Sequence, residues 1–266
     1  MDVSVLKTRI TTAAVFGIFV IGSLLLGKVT TMLLLAIIGL GCTWEYLRMV
    51  IKDQPNVQWV GIICFLILLG TLFLFDIPQY FVKGFIMGNG IAFLIISRHL
   101  WHPYLQHEKV YTQVVLVYIM VPILLTCYVL FYEMITSINL LFILLLIWMA
   151  DSGAYFIGSL WGKHKLFEKI SPKKTWEGFV GGGFLTVGLA FLLNYLTENI
   201  SLSQWLLLAL VVWIFGTIGD LFESSIKRNF QVKDSGTFLP GHGGFLDRFD
   251  SFIFVLPFAL YILIYL

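Results

Sequence analysis

The stretch LLFILLLIWMAD, Leu140 to Asp151, decides the fold class. From Leu140 to Ala150 every residue is apolar, so neither a helix nor a strand built from it has a face for water. Leu206 to Val212 reads the same way. Such segments recur along all 266 residues, of which 59% are hydrophobic and 12% charged, with mean hydropathy +0.93. Each apolar stretch runs to roughly 18 to 22 residues, the length a helix needs to cross about 30 Å of hydrocarbon. Lipid offers no hydrogen bonds, so a spanning backbone must pair with itself as helix or closed barrel. A barrel needs alternating polar and apolar residues, which these runs lack. The expected fold is therefore all-α and polytopic, a single integral membrane domain over residues 1–266 without repeat or low-complexity tract.

Spans are expected at 9–26, 28–47, 57–75, 80–97, 110–132, 138–159, 177–196, 202–222 and 248–266. The first resembles a signal peptide, but no small-residue cleavage site follows before Lys28, so it is read as a retained helix. Nine spans put the termini on opposite sides and sort the 17 Lys and Arg residues into 15 on one side, with only Lys28 and Lys83 on the other. By the positive-inside rule the N-terminus is cytoplasmic and the C-terminus external. Cys42, Cys64 and Cys127 lie in apolar runs without metal-ligand spacing and read as small core residues.

Two cytoplasmic segments carry the polar residues. The later one, GDLFESSIKRNFQVKDSGTFLPGHGGFLDRFDS, spans Gly219 to Ser251. Asp220 with Glu223, and Asp247 with Asp250, sit three apart where helices meet the loop, so each pair shares a face. Four acids at two helix ends can converge on one Mg²⁺, a cation that takes hard oxygen ligands and keeps room for phosphates. Lys227, Arg228, Lys233, His242 and Arg248 among them offer donors to anionic oxygen. The plainer alternative is ion pairing among these charges, with the basic residues holding the loop inside. Gly236, Gly241, Gly243 and Gly244 around Pro240 make the segment a poor helix that lets backbone approach a ligand.

The earlier segment reads ADSGAYFIGSLWGKHK from Ala150 and SPKKTWEG from Ser171. Ser171 and Pro172 suit the N-cap and first position of a helix whose free N–H groups, with Lys173 and Lys174, would hold an anion. Snorkelling lysines on a capped helix explain the segment equally well. Asp151, following an apolar run, needs a cation or a metal. Gly158, Gly162 and Lys163 fall one residue short of a phosphate-binding loop, with His164 where Ser or Thr belongs. That glycine spacing, like Gly178 with Gly182, points instead to close helix packing. Glu45, a buried acid in the second span, has no assigned role.

From Ser225 the pattern S-I-K-R, four residues, K-D-S-G, two residues, L-P-G-H-G-G-F-L-D-R-F-D resembles the signature of the phosphatidate cytidylyltransferases, and DSGAY and SPKKTWEG resemble that family's preceding loop. The resemblance implies a Mg²⁺-dependent enzyme of phospholipid synthesis that joins CTP to phosphatidic acid, giving CDP-diacylglycerol and pyrophosphate. It implies a multi-pass protein of the bacterial inner membrane, its site facing the cytoplasm. On this reading Asp220 and Asp247, with Asp250, hold the metal; Lys227 and Arg228 act with them. Asp151, Lys173, Lys174, Ser225, Lys233, His242 and Arg248 bind substrate. Membrane lipids surround the chain, no nucleic acid is expected, and a homodimer is left open. A CTP-dependent lipid kinase and a transporter using its buried acids are the competing readings; charge gathered at one interface and the lack of repeated halves weigh against the transporter.

Overall fold

The computed structural model describes residues 3–52, 54–98, 108–238 and 243–266. Nine helices appear among them: α1 (Val3–Leu25), α2 (Lys28–Val50), α3 (Pro55–Leu72), α4 (Gln79–Ser97), α5 (108–131), α6 (Ser137–Trp161), α7 (Trp176–Leu196), α8 (Leu202–Asn229) and α9 (Leu246–Tyr265). Among the described residues eight helices, α2 to α9, are long and apolar enough to cross a membrane, and α1 adds a shorter apolar helix, Thr11–Leu25. The protein is thus the all-α polytopic membrane protein expected. One departure is a short antiparallel hairpin of β1 (Lys165–Phe167) and β2 (Ser171–Thr175) between α6 and α7, pairing Lys165 with Thr175 and Phe167 with Ser171.

Helices α5 and α9 are mostly buried and form the centre, while α3 lies almost wholly at the periphery. Tyr118 of α5 packs edge-on against Phe222 of α8 and Phe254 of α9. Outward faces carry large apolar side chains such as Ile18, Leu66, Phe85 and Phe184, all exposed, the pattern of a surface whose solvent is lipid. Cys42 and Cys127 are buried as expected; Cys64, on α3, is exposed instead.

Two helices depart from regular winding. In α5 the Val121 N–H reaches back to the Leu116 carbonyl, a π turn that precedes Pro122, which has no N–H to give. The second π turn, Val212–Gly216, interrupts α8 beside Trp213, whose indole donates to the Phe179 carbonyl of α7 at 2.8 Å. Helices α6 and α7 approach closely through glycine, as the spacing suggested: a Cβ on Gly182 would meet the Ala150 carbonyl oxygen at 2.6 Å, and Gly158 lies against Gly178. Gly162 instead ends α6, its N–H bonded to the Gly158 carbonyl.

At one end of the bundle Lys28 pairs with Glu133 at 2.6 Å, and Tyr265 donates to the Gln79 carbonyl. Lys83 lies over Tyr261 and Tyr265 there. The α6–α7 hairpin and the α8–α9 connection lie at the other end. Helix α8 has 28 residues, about 42 Å at 1.5 Å per residue, longer than the hydrocarbon is thick. Its last turns are therefore polar. Residues 223–229, expected as loop, continue the helix because Phe222 and Ile226 stay buried on one face and Glu223 pairs with Lys227 one turn on.

Candidate active site

Gly219 determines how α8 meets α9. A Cβ there would lie 2.6 Å from Phe254 and 3.1 Å from the Asp250 carbonyl, so only glycine lets the two backbones come this close. The consequence is an acid cluster. One carboxylate oxygen from each of Asp220, Glu223 and Asp250 lies within 4.8 Å of the others. Glu223 is 1% exposed, and its Oε1 has no hydrogen-bond partner. Three hard oxygen donors at this spacing, one of them buried with lone pairs unused, are equipped to hold a divalent cation.

The fourth expected acid has a different post. Asp247 takes Lys227 Nζ at 2.7 Å and the backbone N–H groups of Gly244 and Ser235 at 2.8 and 3.0 Å. Gly243, at φ +88°, makes the turn that directs Gly244 to it. Lys227 also lies 2.5 Å from Glu223, so one nearly buried ammonium is shared between two carboxylates. Glu223, named in the sequence as the partner of Asp220 on one helix face, thus joins the cluster where Asp247 was expected.

Glu45 of α2 now has a place. Its Oε2 accepts from the Ser235 hydroxyl at 2.9 Å and from the Leu246 N–H at 3.0 Å, and Gly236 and Gly244 press on its carboxyl. It clamps both ends of the α8–α9 connection from a helix 190 residues away in sequence. Only its cost as a buried ion marked it in the sequence.

From the other side comes the hairpin. Thr175, not Ser171, caps α7, accepting from the Gly178 N–H at 3.2 Å, and the Trp176 N–H bonds to the His164 carbonyl at 2.9 Å. Ser171 and Pro172 are extended because residues 171 to 175 pair with β1, so the anion site expected at their helix start does not form. Strand geometry instead carries Lys174 to Asp220, with which it forms an ion pair. Burial pulls the Lys174 ammonium down, yet the Asp220 charge and hydrogen bond outweigh it and hold the group above its ordinary value. Glu177 accepts from the Lys163 and His164 backbone and lies 2.6 Å from the His164 ring, fixing the hairpin base.

Lys173 and Lys174 line one cavity with Asp151 and Asp220. Asp151 is exposed rather than buried in lipid-facing packing, since it opens onto this space. Arg248 is exposed and lines a second cavity with Asp250 and Asp151. Arg228 turns away, donating to the Ile170 and Val232 carbonyls at 3.5 and 3.2 Å, and so ties the hairpin to the end of α8. Ser225 is buried, its hydroxyl without a hydrogen-bond partner. Lys233 is exposed and lines neither of these cavities. His242 lies outside the described residues.

Fold and site together define a polytopic membrane protein with a carboxylate cluster and lysines gathered where helix ends meet a polar loop. The sequence profile of the Cytidylyltransferase family matches residues 7–266, and the chain belongs to that family. It is 34% identical over 270 residues to the phosphatidate cytidylyltransferase of Bacillus subtilis (strain 168), covering 97% of each chain. It is 51% identical over 120 residues to the protein of that name from Staphylococcus aureus (strain COL), and 52% over 119 to that of Staphylococcus saprophyticus. These two matches span 44% of this chain and 46% of each staphylococcal one, about half their length.

Proposed function

We propose that this protein transfers the cytidylyl group of CTP to phosphatidic acid at the cytoplasmic face of a bacterial inner membrane. The observation that carries the proposal is the convergence of Asp220, Glu223 and Asp250 beside Lys174 and Lys227, in a chain similar over 97% of its length to a relative named for that reaction. The 15 basic residues assigned to one side support the orientation.

Chemically, a phosphate monoester oxygen of the lipid bonds to the α-phosphorus of CTP while the bond from that phosphorus to the oxygen bridging the β-phosphorus breaks, and pyrophosphate leaves. The monoester is largely ionised near neutral pH, with a second pKa of about 6, so no strong protein base is needed. The difficulty is bringing two polyanions together, and fixed cations answer it. Lys173 and Lys174 provide them in the first cavity, Lys174 held in place by Asp220. Lys227 is committed to Glu223 and Asp247 and balances the acids rather than clamping a phosphate. Asp247 acts through Lys227 and by ordering Ser235 and Gly244. Magnesium fits the Asp220, Glu223 and Asp250 oxygens, and when bound would supply positive charge to the phosphates.

The test supplies purified protein with Mg²⁺, phosphatidic acid and CTP labelled separately at the α and γ phosphates. Label from α in the lipid, lost in Asp250→Asn while the variant stays folded in detergent, is the expected result. Label from γ makes the protein a lipid kinase, and near-normal turnover by Asp250→Asn removes the cluster from the reaction.

A further inference from the structure

A third cavity, about 910 Å³, lies between the polar ends of α2 and α3 and the α8–α9 connection. None of Asp220, Glu223 and Asp250 lines it. Along α2 and the turn after it the wall is Leu40, Trp44, Arg48 and Lys52, four residues apart and so on one side of the helix, about 6 Å of depth per step. Helix α3, running the other way, faces them with Trp59, Ile62 and Leu66. Trp44 and Trp59 meet at one level, their ring centroids 5.1 Å apart. Trp59 and Leu66 are 56% and 48% exposed, so this wall opens towards hydrocarbon. The remaining wall is the connection itself, Ser235 to Phe238, with Phe245 just before α9.

We propose that this cavity is an effector site for an anionic phospholipid of the bilayer, one that is not the substrate, with its phosphodiester on Arg48 and Lys52 and its chains along α2 and α3. The lining changes from aliphatic to tryptophan to cation along α2, the order in which a phospholipid changes from chain to interface to phosphate. A soluble polyanion would leave the aliphatic part uncovered, and a hydrocarbon would leave the cations. Among the described residues neither Arg48 nor Lys52 has an ion-pair partner. Favouring the carbonyl end of α2 accounts for one cation there, not for two over a cavity. Two acids share the lining. Glu45 gives its Oε2 to the Ser235 hydroxyl and the Leu246 N–H, and Asp234, exposed on the connection, opposes a negative headgroup. The occupant lies against the residues that Glu45 holds, so it steadies the connection from which Asp247 and Asp250 follow. Turnover then depends on the surrounding lipid. The site stands on its own lining; the effect on turnover rests on the transferase reading above.

The probe is phosphatidylglycerol, a phosphodiester with no monoester oxygen to attack CTP. Native mass spectrometry of the full chain released from detergent measures its retention. Arg48→Gln with Lys52→Gln should weaken binding at least about tenfold, and phosphatidylcholine should bind the wild type as weakly as phosphatidylglycerol binds that variant. Asp234→Asn should tighten binding, a gain that misfolding does not produce. Equal retention by wild type and double variant, or equal retention of the two lipids, overturns the site. So does binding that is lost in Asp250→Asn but kept in the double variant, which places the lipid at the cluster. The second arm follows α-label transfer in phosphatidylcholine micelles at a fixed surface fraction of phosphatidate. Added phosphatidylglycerol should raise kcat of the wild type about fivefold, leave KM for CTP within about twofold, and leave the double variant at its basal rate. Binding without any change in kcat would refute the coupling through the connection. Absence of α-label transfer under every lipid condition refutes the transferase reading instead, while the retention measurements still decide the site.

Discussion

Replacing Lys227 by Met keeps most of the side-chain volume and removes one charge. In the wild type that side chain is 10% exposed, and its ammonium lies 2.5 Å from Glu223, whose side chain is 1% exposed, and 2.7 Å from Asp247, whose side chain is 6% exposed. The variant leaves two buried carboxylates without their common cation, and Asp250, 7% exposed, stands close to Glu223. Breaking a buried pair by removing one partner costs about 3–5 kcal/mol, because the remaining charge is uncompensated. At roughly 2–4 °C per kcal/mol for a chain of this size, Tm in detergent should fall by about 6–20 °C. Thermal unfolding followed by loss of the monodisperse size-exclusion peak measures it, without Mg²⁺. Adding Glu223→Gln and Asp247→Asn to the same chain should restore most of the loss, since amides leave no charge to balance. A triple variant no more stable than Lys227→Met alone, or a single variant within about 2 °C of wild type, would show that Lys227 does not neutralise this site.

Three further outcomes follow from the same geometry. Glu45→Ala removes both acceptors that hold the α8–α9 connection and leaves the buried Leu246 N–H unsatisfied, a cost of about 1–3 kcal/mol; α-label transfer should drop at least about tenfold while circular dichroism keeps the helical signal. Gly219→Val places methyl groups where Phe254 and the Asp250 backbone stand, costing about 1–3 kcal/mol by overpacking; Mg²⁺ should raise Tm of the wild type and leave that of the variant unchanged. The Lys174–Asp220 pair should be indifferent to pH across the neutral range. Lys174 titrates above its ordinary 10.5 when folded, so its contribution is complete below that value and is lost only as pH rises through the higher folded one. The Tm difference between wild type and Lys174→Gln should stay constant from about pH 7 to 10 and shrink beyond it.

Much of the architecture was legible because lipid imposes a simple rule on a chain: a run such as Leu140 to Ala150 has no alternative to a spanning helix. Span positions agreed with the helices to within a few residues at most ends. The failures came where local signals were ambiguous. Ser171-Pro172 has the composition of a helix start, yet residues 171–175 form a strand because β1 lies opposite, and pairing between segments overrode the capping preference. Residues 223–229 looked like loop because they are charged; they are helix because Phe222 and Ile226 find cover in the core.

The candidate site divides in the same way. Residue types and spacing in the sequence pointed to acids and bases on two polar segments as equipment for phosphate chemistry, and the pattern from Ser225 to Asp250 narrowed it to one family. Which acids converge depended on a contact no spacing rule reports: Gly219 against Asp250 and Phe254 brings Glu223 beside Asp220 and Asp250, while Asp247 goes to Lys227. Glu45 lies 190 residues from Ser235, and only the packing of α2 against the α8–α9 connection joins them. Burial and charge are properties a sequence states residue by residue; the partner that makes a buried charge tolerable is chosen by the tertiary structure, because it is a neighbour in space and not along the chain.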